Sequence, residues 1–296
     1  MIKSFFDSNN IEYKENISLK KYNTYRLDTK CSYLVFPKTC NELILLLKEL
    51  KKEKIPYLVL GNGSNIIFSM PTYTGVIIKL DYLNKVTYKD NTVTAEAGYS
   101  LIKLAMDTVE KGLSGLEFAA AIPGCVGAST AMNAGAYNSD ISNVIESVKI
   151  LTPDYKIINK SKEELSFSYR DSFLKQNKDY IVLSTTFKLL PGDKETMLNQ
   201  IKERREKRIA SQPLDMPSAG SVFRNPEGMY AGALIEAAKL KGYCIGDAMI
   251  SEKHANFIVN KGNATGKEII KLIEKIQKEV KDNYHIDLKL EQIIIE

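Results

Sequence analysis

Between Phe118 and Ser139 the chain carries no charged side chain: F-A-A-A-I-P-G-C-V-G-A-S-T-A-M-N-A-G-A-Y-N-S. The run is long enough to cross a bilayer, but Pro123, Gly124, Gly127, Asn133, Gly135 and Asn138 make it a poor hydrocarbon helix. Its place deep inside the chain excludes a signal peptide. Two readings survive. It is a tightly packed core loop, or it is a small-residue wall for a bulky, largely apolar ligand with a phosphate end. Either one demands a fold that can cover it.

With 296 residues there is room for about two domains and a sizeable core. No other apolar run is long enough for a bilayer, and the opening M-I-K-S-F-F-D-S lacks a signal-peptide core, so a cytoplasmic protein is expected. Cys31, Cys40, Cys125 and Cys244 are scattered without C-x-x-C spacing, and the only histidines are His254 and His285. That pattern favours neither a disulfide framework nor a metal centre. A formal charge of +5 suits anionic small molecules and is too weak to indicate nucleic acid. The densest basic stretch, I-K-E-R-R-E-K-R-I at 201–209, interleaves Glu203 and Glu206 with its cations and reads as a solvated helix.

Local signals place the elements. Thr39-Cys40-Asn41-Glu42 is a capping-box pattern opening E-L-I-L-L-L-K-E-L-K-K. Residues 56–60 and 75–80 read as strands, and the alternation from Lys85 to Ala97 as a hairpin turning at Asp90-Asn91. Ser100 caps a helix through Lys111. Strands come next near 144–151, 155–158 and 180–190, then a charged helix to about Arg208. A loop over 211–228 leads to a helix over 229–239 and a strand at Asn256–Asn260. Thr265-Gly266-Lys267-Glu268 is a second capping box before an amphipathic helix, and a strand over roughly Ile286–Ile295 ends the sequence. Strands and helices mix without a regular βαβ beat, which predicts an α+β fold.

Three loops carry candidate chemistry. G-N-G-S-N at 61–65 comes after a strand, but the dinucleotide G-x-G-x-x-G pattern fails at Ile66, and Pro71 argues against a helix beyond it. A different cradle remains: Gly61 and Gly63 free backbone N–H groups for an anion nest, with Ser64 and Asn65 as side-chain donors. A plain structural turn is the alternative. S-A-G-S-V-F-R-N-P-E-G (218–228) offers Ser221, Arg224 and Asn225; no His or Asp lies near Ser221 in sequence, which disfavours a hydrolase triad. S-E-K-H-A-N-F (251–257) gathers Glu252, Lys253, His254 and Asn256 ahead of an apolar strand.

Six segments in order carry a resemblance. They are G-N-G-S-N, A-I-P-G-C-V-G-A (121–128), N-A-G-A-Y (133–137), Y-R-D-S (169–172), Q-P-L-D-M-P-S-A-G-S-V-F-R-N-P (212–226) and S-E-K-H-A-N-F. From about Tyr25 to Glu291 the chain resembles the flavoprotein family of UDP-N-acetylenolpyruvoylglucosamine reductases. The direct run from Arg170 onward is similar to the shorter subtype, without a tyrosine-bearing insertion. The resemblance implies a two-part FAD-binding region of the flavin-oxidase (PCMH) kind, residues 1–72 and 73–192. A smaller α+β substrate domain, 193–296, would complete the chain, its last strand able to return to the FAD region.

It also implies FAD and NADPH as cofactors and a UDP-sugar as substrate, with no nucleic-acid or membrane partner. FAD would lie against Gly61, Asn62, Gly63, Ser64, Asn65, Ala121, Ile122, Pro123, Gly124, Gly127, Ala128, Asn133 and Gly135. Arg170, Ser221 and Glu291 match the catalytic trio, Glu296 being the rival for the third place. Arg224, Asn225, Lys253 and His254 would meet the substrate. Two other functions fit the residues less well: a flavin oxidase acting on a small alcohol or sugar, and a non-catalytic nucleotide-binding regulator.

Overall fold

The computed structural model describes residues 2–296. Two compact units emerge, and the chain passes between them after Glu15, Ser32, Gly61, Tyr73 and Arg205. The first unit takes the N-terminal stretch to Glu15, Tyr33–Gly61 and Thr74–Arg205. The second takes Asn16–Ser32, Asn62–Tyr73 and Glu206–Glu296. Each has its own buried core.

The first unit is built on a five-stranded antiparallel sheet in the order Ile157–Ser161, Ile145–Leu151, Ile181–Lys188, Thr92–Glu96, Val86–Lys89. Its hairpin turns at Asp90-Asn91 as expected: Lys89 pairs with Thr92, and Asp90 takes the positive φ of 51° that such a two-residue turn requires. The central strand, Ile181–Lys188, is buried along most of its length, so both faces are covered. One cover is the neutral run itself. Far from being a loop, it forms a 3₁₀ turn (Glu117–Ala121), a short helix (Val126–Ala131) and a tight pair (Gly135–Ala136 with Ser139–Asp140). The helix packs on the central strand, where the Thr130 and Thr185 hydroxyls meet at 2.8 Å. Helical spacing of Ala and Gly was concealed by the flanking Pro and Asn, which mark only the ends of the segment.

Capping chemistry set the first long helix, Cys40–Lys52: the Thr39 hydroxyl accepts from Glu42 N at 3.1 Å. The reciprocal half differs from expectation, because the Glu42 carboxylate takes the Lys38 N–H at 2.8 Å instead. Ser100 caps Leu101–Glu110 as anticipated. The four-stranded sheet Glu12–Ser18, Lys30–Phe36, Thr72–Ile78, Tyr57–Val59 includes two strands that the sequence pattern did not announce, Glu12–Ser18 and Lys30–Phe36. Glu12–Ser18 is mostly exposed and reads E-Y-K-E-N-I-S, with too few apolar residues to alternate visibly.

In the second unit the helix Gly266–Tyr284 lays Ile269, Leu272, Ile273, Ile276 and Val280 into the core. Both halves of its capping box, Thr265 with Glu268, are formed. A three-stranded antiparallel sheet, Cys244–Ile245, Ala248–Ile250 and Ile258–Asn260, packs beside it. The strand expected over 286–295 shrinks to Ile293–Ile295, which runs parallel to Ile66–Phe68. Upstream of it, among the described residues, a single bridge forms, Phe223 with Leu290. Among the described residues no helix is long and apolar enough to cross a membrane.

Candidate active site

The turn Gly61–Asn65 is held by its glycines. At Gly63 φ is +63°, and a Cβ there would stand 2.3 Å from the Tyr22 carbonyl oxygen, so no other residue fits. A Cβ on Gly61 would stand 2.8 Å from Ala128 Cβ and 3.0 Å from Cys125 Sγ, so this glycine lies against the helix of the neutral run. The Gly63 carbonyl accepts from Thr24 N at 3.1 Å, and Asn65 Nδ2 donates to the Glu291 carbonyl at 3.1 Å. Among the described residues, the N–H groups of Gly61, Asn62, Gly63 and Ser64 donate to no backbone carbonyl. Consecutive amides left uncommitted in this way are the donor set a diphosphate needs.

The neutral run is the reverse case. Several of its amides are spent: Val126 N on Tyr99 O, Gly127 N on Ala97 O, and Gly124 N on Ile122 O, each at 2.8–2.9 Å. Gly127 is required because a Cβ would come within 2.7 Å of Ala97 Cβ, while a Cβ on Gly124 would meet only the Ser129 hydroxyl. Ala121 and Ile122 are half-buried, while Pro123 and Ala128 are exposed. These residues offer small, uncharged side chains, which suit an isoalloxazine.

Arg170 is delivered by a loop that Asn133 and Gly135 build. Asn133 is buried with a φ of +45°; its Nδ2 donates to Ser168 O at 2.9 Å and its Oδ1 accepts from Ser142 N at 3.0 Å. Ser168 and Asp171 close a two-residue bridge around Tyr169 and Arg170, putting Arg170 at φ +57°. One guanidinium nitrogen donates to Gly135 O at 2.6 Å, and the group lies 5.1 Å over the Tyr169 ring. Lys175 Nζ holds the Arg170 carbonyl at 2.8 Å.

Ser221 lies in the second unit between two anchored neighbours. Val222 N donates to Asn256 O and Val222 O accepts from Glu291 N, both at 2.9 Å. The Asn256 side chain clasps Phe223 from both ends, accepting from its N at 2.9 Å and donating to its O at 2.8 Å. Arg224 N donates to Lys289 O at 2.9 Å. The backbone of Glu291 thereby joins the Ser221 segment to the Asn65 side chain, although 70 and 226 positions separate Glu291 from the two. The Ser221 hydroxyl makes no hydrogen bond among the described residues.

The remaining expected site residues are more occupied. Asn225 Oδ1 accepts from Ala231 N at 3.1 Å, capping the helix Ala231–Ala237. Lys253 Nζ donates to Ile209 O at 2.5 Å. His254 packs on Phe257, accepts from Asn256 N through Nδ1 at 3.2 Å, and is held below the usual histidine range by burial. Burial also pushes the Cys125 thiol up, leaving it a poor nucleophile. Sequence reasoning missed Lys79, Tyr25 and Gln292. Lys79 is almost wholly buried and donates to Gly61 O at 2.6 Å. A buried lysine inside the apolar strand G-V-I-I-K-L was the available signal.

Uncommitted amides at Gly61–Ser64 and uncharged side chains beside Gly61 suit a flavin nucleotide, and the family profile "FAD binding domain" matches residues 31–161, which makes the chain a flavin-binding oxidoreductase. The profile "UDP-N-acetylenolpyruvoylglucosamine reductase, C-terminal domain" matches residues 212–295. A protein of that name from Clostridium kluyveri is 44% identical over 94% of this chain and 91% of its own length. One from Lactobacillus helveticus is 43% identical over 96% and 95%. The crystal structure of the reductase from Thermus caldophilus superposes with a TM-score of 0.81 at 33% identity, covering 97% of this chain and 99% of that one. The chain belongs to the UDP-N-acetylenolpyruvoylglucosamine reductase family and is an FAD-dependent enzyme of α+β fold.

Proposed function

We propose that Arg170, Ser221 and Glu291 carry the step that converts the enolpyruvyl group of the UDP-sugar into the lactyl ether of UDP-N-acetylmuramate, a peptidoglycan precursor. FAD, when bound, supplies a hydride acceptor for NADPH and a hydride donor to the terminal vinyl carbon. Hydride addition leaves negative charge on the neighbouring carbon and its carboxylate. Arg170 stabilises that charge, its planar fork matching a carboxylate. Ser221 then gives the proton; a hydroxyl is a feeble acid, but an enolate-like partner is a strong base. Glu291, whose backbone is tied to Val222, is the third member of the trio; Glu296, beyond the strand Ile293–Ile295, is exposed and lacks that tie. Arg224, Asn225, Lys253 and His254 would meet the UDP-sugar, Gly61–Asn65 would hold the diphosphate of FAD, and the work is done in the cytoplasm.

The uncommitted Ser221 hydroxyl on an anchored backbone carries this reading. Ser221→Ala is expected to leave flavin reduction by NADPH near the native rate and to slow reoxidation by substrate about 10²- to 10⁴-fold, the usual worth of general acid catalysis. Ser221→Cys should recover part of the loss. Equal slowing of both half-reactions in stopped flow would assign Ser221 a loop-forming role only.

A further inference from the structure

We infer that Gln292, braced by Tyr25, is a positioning residue for the Ser221 hydroxyl. The inference rests on Ser221 being the proton donor. Gln292 is 4% exposed and its amide is fully used inside the second unit. Nε2 donates to two successive carbonyls, Ala219 O and Gly220 O, both at 3.1 Å. Oε1 accepts from the Tyr25 hydroxyl at 3.0 Å, on a ring that is itself completely buried.

Those two carbonyls belong to the peptide units leading directly into Ser221. Gly220 has a φ of +76°, with nothing within 4 Å of where a Cβ would stand, so no packing against that position sets the backbone there. The Gln292 fork supplies what packing does not, gripping the chain on the N-terminal side of Ser221. Glu291 N and Asn256 O grip Val222 on the other side. Together they fix the Ser221 Cα–Cβ vector and leave only rotation of the hydroxyl. A glutamine is suited to this: one planar amide offers two donors to adjacent carbonyls and one acceptor to a phenol. Tyr25 orients the amide, since a flipped one would set its oxygen against two carbonyl oxygens.

Gln292→Met keeps length and apolar volume and removes the fork. Reoxidation of the reduced flavin by substrate is expected to slow about 10- to 100-fold, as misplacement of a reacting group does, while reduction by NADPH is unchanged. The solvent deuterium isotope effect on reoxidation should rise, since proton transfer becomes limiting. Amide exchange over 218–223 in the flavin-loaded protein should quicken, a readout independent of turnover. Tyr25→Phe, which deletes one hydroxyl and keeps the ring, should give the same pattern at about two- to tenfold and covers the case in which Gln292→Met does not fold. Reoxidation within about twofold of native in both variants, or equal slowing of both half-reactions, overturns the inference. Ser221→Ala separates the two levels: native reoxidation there removes the proton-donor reading, whereas slow reoxidation there beside native Gln292→Met removes the clamp alone.

Discussion

At the residue scale, Arg170 has two tasks for one side chain. Part of its guanidinium is spent on Gly135 O at 2.6 Å, and the proposed chemistry asks the fork to face a carboxylate as well. Lysine gathers its donors on one nitrogen and lacks the planar fork that reaches both partners. Arg170→Lys is therefore expected to lower kcat by about a hundredfold or more with the fold intact by circular dichroism; near-native turnover would make Arg170 structural. His254 bears on stability. Burial lowers its folded pKa below the ordinary histidine value of 6.5, and Nδ1 must be unprotonated to accept from Asn256 N. The unfolded chain thus takes the proton first, so the contribution is complete above about pH 6.5 and is lost as pH falls through the folded value. Between about pH 7 and about pH 5 the melting temperature of the native protein should fall more than that of His254→Gln. The residues named from sequence were those whose type announces chemistry. Gln292 was not among them, because its work is set by which carbonyls lie opposite, and those are 72 and 73 positions away; Asn256 was named only as part of a polar stretch, and its grip on Phe223, 33 positions away, was not legible there.

At the scale of elements, local chemistry was the legible part. Thr265 with Glu268, Ser100 and the Asp90-Asn91 turn all act where the sequence places them. Thr265→Ala should cost about 1 kcal/mol in denaturant unfolding. Gly266→Ala should cost more, although alanine favours helices, because its Cβ would lie 1.8 Å from Phe68 O on the strand just after the Gly61–Asn65 turn. An order reversed between these two variants would mean the helix can retreat from that strand. What stayed hidden depended on remote partners. The strand Ile293–Ile295 is short because its neighbour among the described residues, Ile66–Phe68, is short. Asn256 sits outside its expected strand because its side chain turns to the Phe223 backbone.

For the molecule as a whole, the decisive fact is that neither unit is one continuous piece of chain. Residues 206–296 contain most of the second core but lack Tyr25, Leu27 and Ile67, all of them buried in it. At about 1.5–3 kcal/mol each, these three side chains are worth roughly 5–9 kcal/mol. That is the size of a whole domain's margin, about 5–15 kcal/mol. An isolated 206–296 fragment should show no cooperative thermal unfolding by circular dichroism; a sharp two-state melt would contradict this.

Translation runs from Tyr25 toward Gln292, and 267 positions separate this hydrogen-bonded pair. At about 5–20 residues per second the glutamine is made roughly 13–53 s after the tyrosine. Meanwhile the Asn65 amide waits for Glu291, and the strand Ile66–Phe68 waits as an unpaired edge open to chaperones. Cofactor loading is then expected to be a late event, gated by the ribosome's progress. A nascent chain arrested at Leu290 should leave FAD in solution, whereas one arrested on a linker beyond Ile295 should take it up; uptake by the shorter chain would show that the turn matures without its distant partners.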